Sequence, residues 1–299
     1  MAAGPPDLPS VPPGRAWRDV SLGDPRTRAT LISITSTVVV FVVLALAITN
    51  APGWDDVRES FFNGPVFADS WPKILSAFWV NVRLFLISEV LVLIVGLAIA
   101  ILRSAPGPAM FPVRLLATVY VDVFRALPGI LVIFILGFGV PALGLPGVPI
   151  DPFFWAVVSL TLLYSAYVSE VYRAGIDSVH PSQMAAARSL GLSQWQGMRH
   201  VVLPQAVRRV VPPLLNDFIG LQKDTVLVSF VGVVEVFRAS AIRQAGSFNF
   251  TPYLCAALIF LALTIPLARL VDWLIARDRS PGAPLRVVQT GATNMGDRT

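Results

Sequence analysis

Residues 79–102, WVNVRLFLISEVLVLIVGLAIAIL, form a long apolar run in which Arg83 and Glu89 are the only ionisable residues. An α-helix rises 1.5 Å per residue, so about 20 apolar residues cross the roughly 30 Å of hydrocarbon in a bilayer. The run therefore predicts a transmembrane helix. Five other stretches have a similar length and composition, and the six predicted spans are Thr30–Thr49, Trp79–Leu102, Leu115–Val140, Phe153–Val171, Val210–Val234 and Pro252–Ala276.

The composition of the chain agrees with this interpretation. Of the 299 residues, 55% are hydrophobic and 14% are charged, whereas soluble domains carry about a quarter charged residues. The net charge of +5 comes from basic residues scattered between apolar segments, which argues against a nucleic-acid-binding surface. A single cysteine, Cys255, excludes an internal disulfide. We predict an all-α integral membrane protein with about six transmembrane helices.

The distribution of charge between the spans predicts the orientation. If the N-terminus is cytoplasmic, the arginines of both tails, of the 103–114 loop and of residues 173–209 share the cytoplasmic side. The opposite side then carries mostly acidic residues, so the positive-inside rule favours cytoplasmic termini. The ends of the chain, residues 1–29 and 278–299, are rich in Pro, Gly, Ser and Thr, and we predict disordered cytoplasmic tails there. Residues 30–49 are interpreted as a retained helix and not a cleaved signal peptide, because the preceding stretch is too long and too polar for an n-region.

The segment 173–209, between the fourth and fifth spans, carries strong helix signals outside the bilayer. Pro181 suits the first turn of a helix, and Gly191 suits the left-handed position after its end. Ser193 and Gln196 have the spacing of a capping box, which predicts a second short helix closed by Pro204. This pattern of a helix, a glycine corner and another helix predicts a docking element for another protein.

The motifs in and around this segment resemble those of a known family. YSAYVSEVYRAGI (164–176), AAARSLGLSQWQ (185–196), LPQA (203–206), PPLLN (212–216) and KDT (223–225) follow one another in the chain, and VFRALP (123–128) precedes them. In this order they resemble the polar amino acid family of ABC-importer permeases. The main run of matching motifs, 164–225, covers about 60 residues. It implies a permease transmembrane domain at 71–277 with a coupling segment at 173–209, and it leaves the first helix, 30–49, as an accessory element.

The resemblance implies a type I ABC importer permease fold with a cytoplasmic coupling helix. It implies that the coupling segment docks on a separate ATPase subunit dimer, which binds the ATP, so that this chain binds no cofactor. It further implies a second permease subunit, the same chain or a related one, an extracellular amino-acid-binding protein and a location in the bacterial plasma membrane. The residues that match the coupling motif are Ser182, Gln183, Ala185, Ala186, Ala187, Leu190 and Gly191.

Two further observations bear on this resemblance. The family usually has Glu-Ala-Ala where this chain has Ala185-Ala186-Ala187, so an acidic side chain is replaced by Ala185. Alanine is the best helix former, so the helix itself is not disfavoured. The sequence contains no G-x-x-x-x-G-K-[ST] phosphate-binding loop, so we expect a transport subunit without an ATPase site of its own.

Ionisable and polar residues within the spans are candidates for the substrate pathway, because a charge at the centre of a helix costs about 2.5–3.5 kcal/mol on insertion scales. Arg83 lies near the start of its span, where it can reach the headgroups, and is left out. The fifth span is predicted to be kinked or discontinuous, as in transporter sites, because polar residues and prolines interrupt it: Pro212, Pro213, Asn216, Asp217, Gln222, Lys223, Asp224 and Thr225. Each charged candidate has a structural alternative. It is an internal pair for Glu89, a structural ion pair for Arg125, solvation or a pair with Arg173 for Glu170, and a local pair between Lys223 and Asp224. The candidates are Glu89, Arg125, Glu170, Asn216, Lys223 and Asp224.

Two other function classes were compared with an importer permease. An ion-coupled secondary transporter also uses broken helices and buried charges, but it needs no cytoplasmic docking element. A histidine-based membrane enzyme is excluded, because His180 and His200 are the only histidines and both lie in the docking segment. For a zwitterionic amino acid, Arg125 or Lys223 could bind the carboxylate, and Glu89 or Asp224 the ammonium group. Opines and other small polar ions would fit the same pairs.

Overall fold

The computed structural model describes residues 25–278, with side chains described for 28–277. Regular structure within this range is helical throughout. The helices are α1 (Pro25–Thr49), α2 (Trp54–Phe61), α3 (Gly64–Arg103), α4 (Phe111–Ala126), α5 (Gly129–Phe134), α6 (Val140–Ala142), α7 (Pro152–Asp177), α8 (Pro181–Ser189), α9 (Gln194–Gly197), α10 (Leu203–Asp224), α11 (Val236–Ser247) and α12 (Thr251–Asp278). Pro108–Met110 and Thr225–Val231 form 3-10 helices, and Ile135–Gly139 and Met198–Val202 form π-helical turns.

Four helical segments of the described chain are long and apolar enough to span a membrane, or six if two bent pairs each count as one span. In one pair, Pro108–Ala126 and Gly129–Ala142 meet at 109°. The bend falls at Leu127-Pro128, because Pro128 cannot donate the next helical hydrogen bond and disfavours helical geometry at Leu127. In the other pair, Gln194–Val231 and Val236–Ser247 meet at 49°. The predicted third span is therefore two helices and not one straight rod.

The chain divides into a unit ending at Glu59 and a larger unit beginning at Ser60. In the first unit, residues 28–49 of α1 have a mean hydropathy of 2.7 and none is buried. The predicted tail boundary at residue 29 was wrong, because α1 begins at Pro25. Proline suits a helix start, where its missing N–H is not needed. The rest of both predicted tails, apart from Asp278 at the end of α12, lies outside the described residues.

The larger unit is built around α3 and α7. α3 is 40 residues long and extends well before the predicted span, from an N-cap at Asn63 whose side chain accepts a hydrogen bond from the Val66 N–H at 3.1 Å. In α7, 61% of the most apolar window is buried, more than in any other described candidate span. The core that joins these helices to α5 and α10 includes Leu84, Val92, Ile133, Leu160, Val168 and Leu221. A displacement of α7 therefore changes the packing of several helices.

The fifth predicted span is discontinuous, and it breaks at the last of the interrupting polar residues and not at the prolines. α10 continues through Pro212 and Pro213 to Asp224, and the helix type changes only at Thr225, where the 3-10 helix begins. The prolines free the carbonyls of Arg208 and Arg209, four residues earlier. Both arginines are exposed, so water can bond to the freed groups and the helix tolerates the pair. The discontinuity follows Asp224 and ends at Gly232, whose φ of +97° is left-handed.

Candidate functional site

The predicted pattern of a helix, a glycine corner and another helix is present, and its first helix is closed by hydrogen bonds at both ends. We keep the name docking element for this segment. The imidazole of His180 accepts a hydrogen bond from the Ser182 N–H at 3.2 Å at the start of α8. At the other end, the N–H groups of Gly191 and Leu192 donate to the carbonyls of Arg188 and Ala187, at 3.0 and 3.2 Å. This pattern is a Schellman motif, which requires the left-handed conformation that Gly191 adopts at φ +84°.

The second half of the element begins as predicted and ends differently. Ser193 and Gln196 form the capping box, with hydrogen bonds of 2.9 and 3.2 Å. The prediction that Pro204 ends this helix was wrong, because α9 continues through the π-turn Met198–Val202 into α10. The backbone hydrogen bonds of a π-turn are spaced more widely than those of an α-helix. The helix can therefore continue past Pro204, which has no N–H to donate. The side-chain amide of Gln205 also donates to the Val201 carbonyl at 2.9 Å.

The docking surface is the exposed face of α8 together with the corner that follows it. Six predicted coupling residues are exposed, and Ala187 is buried against α9. Leu190 is 83% exposed and Trp195 is 70% exposed. Large apolar side chains left in contact with solvent mark an interaction site when they occur together in a polar segment. The six exposed residues are Ser182, Gln183, Ala185, Ala186, Leu190 and Gly191.

Close backbone packing connects the docking element to the helix bundle. Gly175, near the end of α7, faces α10, where an added Cβ would collide with Val210 Cγ2 and lie 3.4 Å from the Ala206 carbonyl oxygen. Arg209 donates a hydrogen bond to the Ser178 carbonyl, just beyond α7. The ends of α7 and α10 that flank the docking element are therefore held together.

A second feature lies five residues before Gly175, where four charged side chains converge. Glu170 pairs with Arg103 at the end of α3, with Arg173 at 2.9 Å and with Arg125 at 3.7 Å. The side chains of Arg103 and Glu170 are only 12% and 19% exposed. We call these residues the Glu170 cluster. Two candidates for the substrate pathway, Arg125 and Glu170, thus belong to one ion-pair cluster that joins α3, α4 and α7.

Asn216 and Asp224 line a polar cavity between α7 and α10. The cavity has a volume of about 330 Å³, and Tyr164, Tyr167 and Asp217 also line it. The hydroxyl of Tyr164 donates to Asp224 at 2.8 Å. The guanidinium of Arg125 lies over the ring of Tyr167, 5.8 Å from its centroid, which places a cation beside this cavity. The cavity therefore offers carboxylates, an amide and phenol groups to a small polar molecule.

Lys223 and Glu89 do not line this polar cavity. Lys223 borders a separate, mainly apolar cavity against α12, with Phe260 and Thr264, and Asp224 borders both cavities. The alternative of a local pair between Lys223 and Asp224 is not observed in the described structure, where Asp224 is bonded to Tyr164 instead. Glu89, on α3, is half-buried and lines neither of these two cavities.

A comparison with known protein families shows the family to which this chain belongs. Residues 107–280, more than half of the chain, match the family described as the inner membrane component of binding-protein-dependent transport systems. The chain belongs to this family. It is an ABC-importer-type permease, and the all-α permease fold expected from the resemblance is confirmed.

Individual permeases agree with the family match. The chain is 34% identical over 216 residues to a protein of Bacillus subtilis named as the probable glutamine ABC transporter permease GlnM, covering 72% of this chain and 97% of that one. It is 35% identical over 213 residues to the glutamate transport permease GluC of Corynebacterium efficiens, covering 68% and 92%. Among solved structures, the chain is similar to a crystal structure of an amino acid ABC transporter with histidines. The TM-score is 0.63 and the sequence identity 31%, and the match covers 69% of this chain and 94% of that one.

The permease also contains a buried polar network that the sequence analysis missed. Glu235 is fully buried and caps α11, accepting hydrogen bonds from the N–H groups of Phe237 and Arg238 at 2.9 and 2.8 Å. The amide of Asn81, on α3, donates to Glu235 at 3.1 Å and to Thr225 at 3.0 Å. Glu235 stands just before a helical pattern, which is a weak signal for a helix cap. Its partner Asn81 lies 154 residues away in the chain, so nothing in the sequence indicated the network.

Proposed function

We propose that this chain is the permease subunit of an ATP-binding cassette importer that moves polar amino acids across the bacterial plasma membrane by alternating access. The observation that carries the proposal is the exposed docking element at one end of a permease bundle. The polar cavity of this bundle lies between α7 and α10, the two helices that flank the docking element. A separate ATPase dimer docks on this element, and ATP binds to that dimer and not to this chain. A second permease subunit and an extracellular amino-acid-binding protein complete the importer.

The positive-inside distribution supports an orientation in which the docking element and both termini face the cytoplasm. Arg103, Arg114 and Arg173 lie at the same end of the bundle as α8, which adds to the basic character of that side. A secondary transporter would give no reason for a capped helical corner that exposes Leu190 and Trp195 to water.

The polar cavity supports recognition of a zwitterion. Asp224, with Asn216 and Asp217 beside it, can accept hydrogen bonds from an ammonium group. Arg125 lies over the ring of Tyr167, which lines the cavity, and arginine can bind a carboxylate in a bidentate manner. Lys223 borders the other cavity and is not needed for this arrangement. The proposed substrate is therefore an amino acid whose ammonium group is oriented toward α10 and whose carboxylate is oriented toward Arg125.

Reconstitution in vesicles tests the function. We expect the chain with its ATPase, partner permease and binding protein to accumulate labelled glutamine, glutamate or arginine when ATP is supplied, and the chain without the ATPase to accumulate none. A non-hydrolysable nucleotide is the control. Accumulation driven by an ion gradient in the absence of the ATPase would contradict the proposal and favour a secondary transporter.

Asp224→Asn tests the cavity within the same assay. The change keeps a hydrogen-bonding group beside Tyr164 but removes the charge that an ammonium group needs. Hydrogen bonds to a charged group contribute about 1.5–3 kcal/mol, so we expect uptake with saturating binding protein to fall roughly tenfold or more. Lys223→Gln is the matched control, because Lys223 is the neighbouring charged residue and does not line the polar cavity, and we expect a change of less than about twofold. Equal effects of the two variants would remove Asp224 from the substrate pathway.

A further inference from the structure

A further cavity lies on the face of α10 that points away from the polar cavity. It has a volume of about 220 Å³ and lies between α3, α10 and α12. Phe218 and Gln222 border it, whereas Asp217 and Asp224 border the polar cavity. Residues four apart share one face of a helix, so α10 separates the two cavities. We call it the aromatic cavity, because its wall contains the rings of Phe78, Phe85 and Phe218 beside Leu86, Leu263 and Leu267.

The wall of the aromatic cavity contains two carboxamide side chains, and only one of them has a free donor. The amide of Asn81 is used within the buried network around Glu235, and its oxygen accepts a hydrogen bond from the Val236 N–H at 3.1 Å. Gln222 is 4% exposed, and its oxygen accepts from the Thr264 hydroxyl at 3.1 Å. Its amide nitrogen has no hydrogen-bond partner in the part of the chain that the structure describes.

A donor without a partner is unfavourable in an apolar setting, and water cannot readily supply the partner. A buried water needs two to four polar partners, whereas this wall leaves only the Gln222 amide open. The cavity is larger than the engineered cavity of about 150 Å³ that takes up benzene, so it has room for one ring with a short substituent.

The side chains around the cavity suit an aromatic molecule that comes from the side of the bundle. The rings of Phe85 and Phe218 already meet edge to face, with centroids 4.6 Å apart, and a further ring can add to this arrangement. Leu86 and Leu263 are 54% and 37% exposed, so the cavity opens laterally between α3 and α12. Both helices are candidate membrane spans, so a molecule dissolved in the bilayer reaches this opening directly.

We propose that the aromatic cavity binds a lipid-soluble molecule with a single aromatic ring and a carbonyl oxygen that accepts a hydrogen bond from the Gln222 amide. The site goes beyond the proposed function, because it lies on the opposite face of α10 from the substrate cavity. Gln222 is in the last turn of α10, just before the 3-10 helix begins at Thr225. A bound molecule therefore holds the end of α10 against α3 and α12.

Two probes of nearly equal size separate the hydrogen bond from the apolar contacts. The purified chain in nanodiscs is titrated with para-fluoroacetophenone and para-fluoroethylbenzene, and fluorine NMR measures binding relative to empty nanodiscs. We expect the ketone to bind about fivefold more tightly, because only the ketone offers an acceptor to Gln222. Gln222→Met keeps the length of the side chain and removes the donor, so the difference should fall below about twofold while the hydrocarbon still binds.

A second pair of variants locates the binding. Leu263→Phe places a larger side chain in the wall of the cavity and should weaken both probes. Leu258→Phe makes the same change on α12 outside the cavity wall and should leave both affinities unchanged.

Several results would overturn the inference. They are binding no greater than to empty nanodiscs, as when a lipid acyl chain fills the cavity, an undiminished preference for the ketone in Gln222→Met, and equal effects of Leu263→Phe and Leu258→Phe. Loss of binding on assembly with the partner permease would also overturn it, because the cavity would then belong to the interface between subunits. Uptake is not measured, so each of these results leaves the proposed function as it stands.

Discussion

Glu170→Gln is expected to abolish ATP-driven uptake and to destabilise the helix bundle. Glu170 is the only carboxylate in the Glu170 cluster, and its removal leaves the largely buried Arg103 without its counter-ion. Removing one partner of a buried ion pair costs about 3–5 kcal/mol, and the residual exposure of this site places the effect near the lower figure, about 3 kcal/mol. The checks are thermal unfolding of the purified permease in detergent and uptake in vesicles.

Asp177→Asn is the matched control for this variant. Asp177 pairs with Arg173, a member of the same cluster, but its side chain is 62% exposed. Exposed ion pairs contribute about 0–1 kcal/mol, so stability and uptake should remain nearly unchanged. Similar losses in both variants would mean that the ends of α3, α4 and α7 are sensitive to any change of charge, and that Glu170 has no special role.

Gly191→Val is expected to uncouple ATP hydrolysis from uptake while the spans still insert. A residue with a side chain in the left-handed conformation costs about 1–2 kcal/mol, and a β-branched residue fits worst. The Schellman motif that ends α8 should therefore open, and α9 with Trp195 should change direction. Steric contact is not the cause, because a Cβ added at Gly191 would meet no neighbouring group within 4 Å. Hydrolysis stimulated by the binding protein and uptake are measured on the same vesicles.

Gly147→Val provides the control, because Gly147 has almost the same φ of +83° and the same open surroundings but lies in the loop before α7. Its backbone strain is equal and its distance from the docking element is large. We expect this variant to lose some stability and to couple normally. If Gly147→Val uncouples the two activities as strongly as Gly191→Val, general strain explains the result and the corner does not direct docking.

The parts of this structure that were predictable from the sequence are the local ones. Pro181, Gly191, Ser193 and Gln196 act within a few residues of themselves, so the rules of helix capping were sufficient to predict the docking element. Pro204 misled the prediction because a π-turn accommodates a proline that an α-helix rejects, and the sequence carries no clear signal for a π-turn.

The candidate site was predicted only in part, because its contacts join distant segments. Arg125 and Glu170 were chosen separately, and their pairing depends on the packing of α4 on α7. Lys223 and Asp224 were chosen together, but they share only the apolar cavity, and Asp224 alone of the two also lines the polar one. The network of Asn81, Thr225 and Glu235 required the packed structure, because none of these residues is unusual in its own segment.

The contact at Gly175 gives the two long helices a common pivot. Tyr164 lies about 16 Å from Gly175 along α7, Asp224 lies about 21 Å from Val210 along α10, and Glu170 lies only about 7 Å from the contact. A relative tilt of about 10° around it would separate the helices by about 3 Å at the level of Tyr164, enough to break its hydrogen bond to Asp224, and by about 1 Å at Glu170. The Glu170 cluster joins α3, α4 and α7 and has no member on α10. A small displacement of α10 by the docking element can therefore widen the cavity while the cluster stays closed.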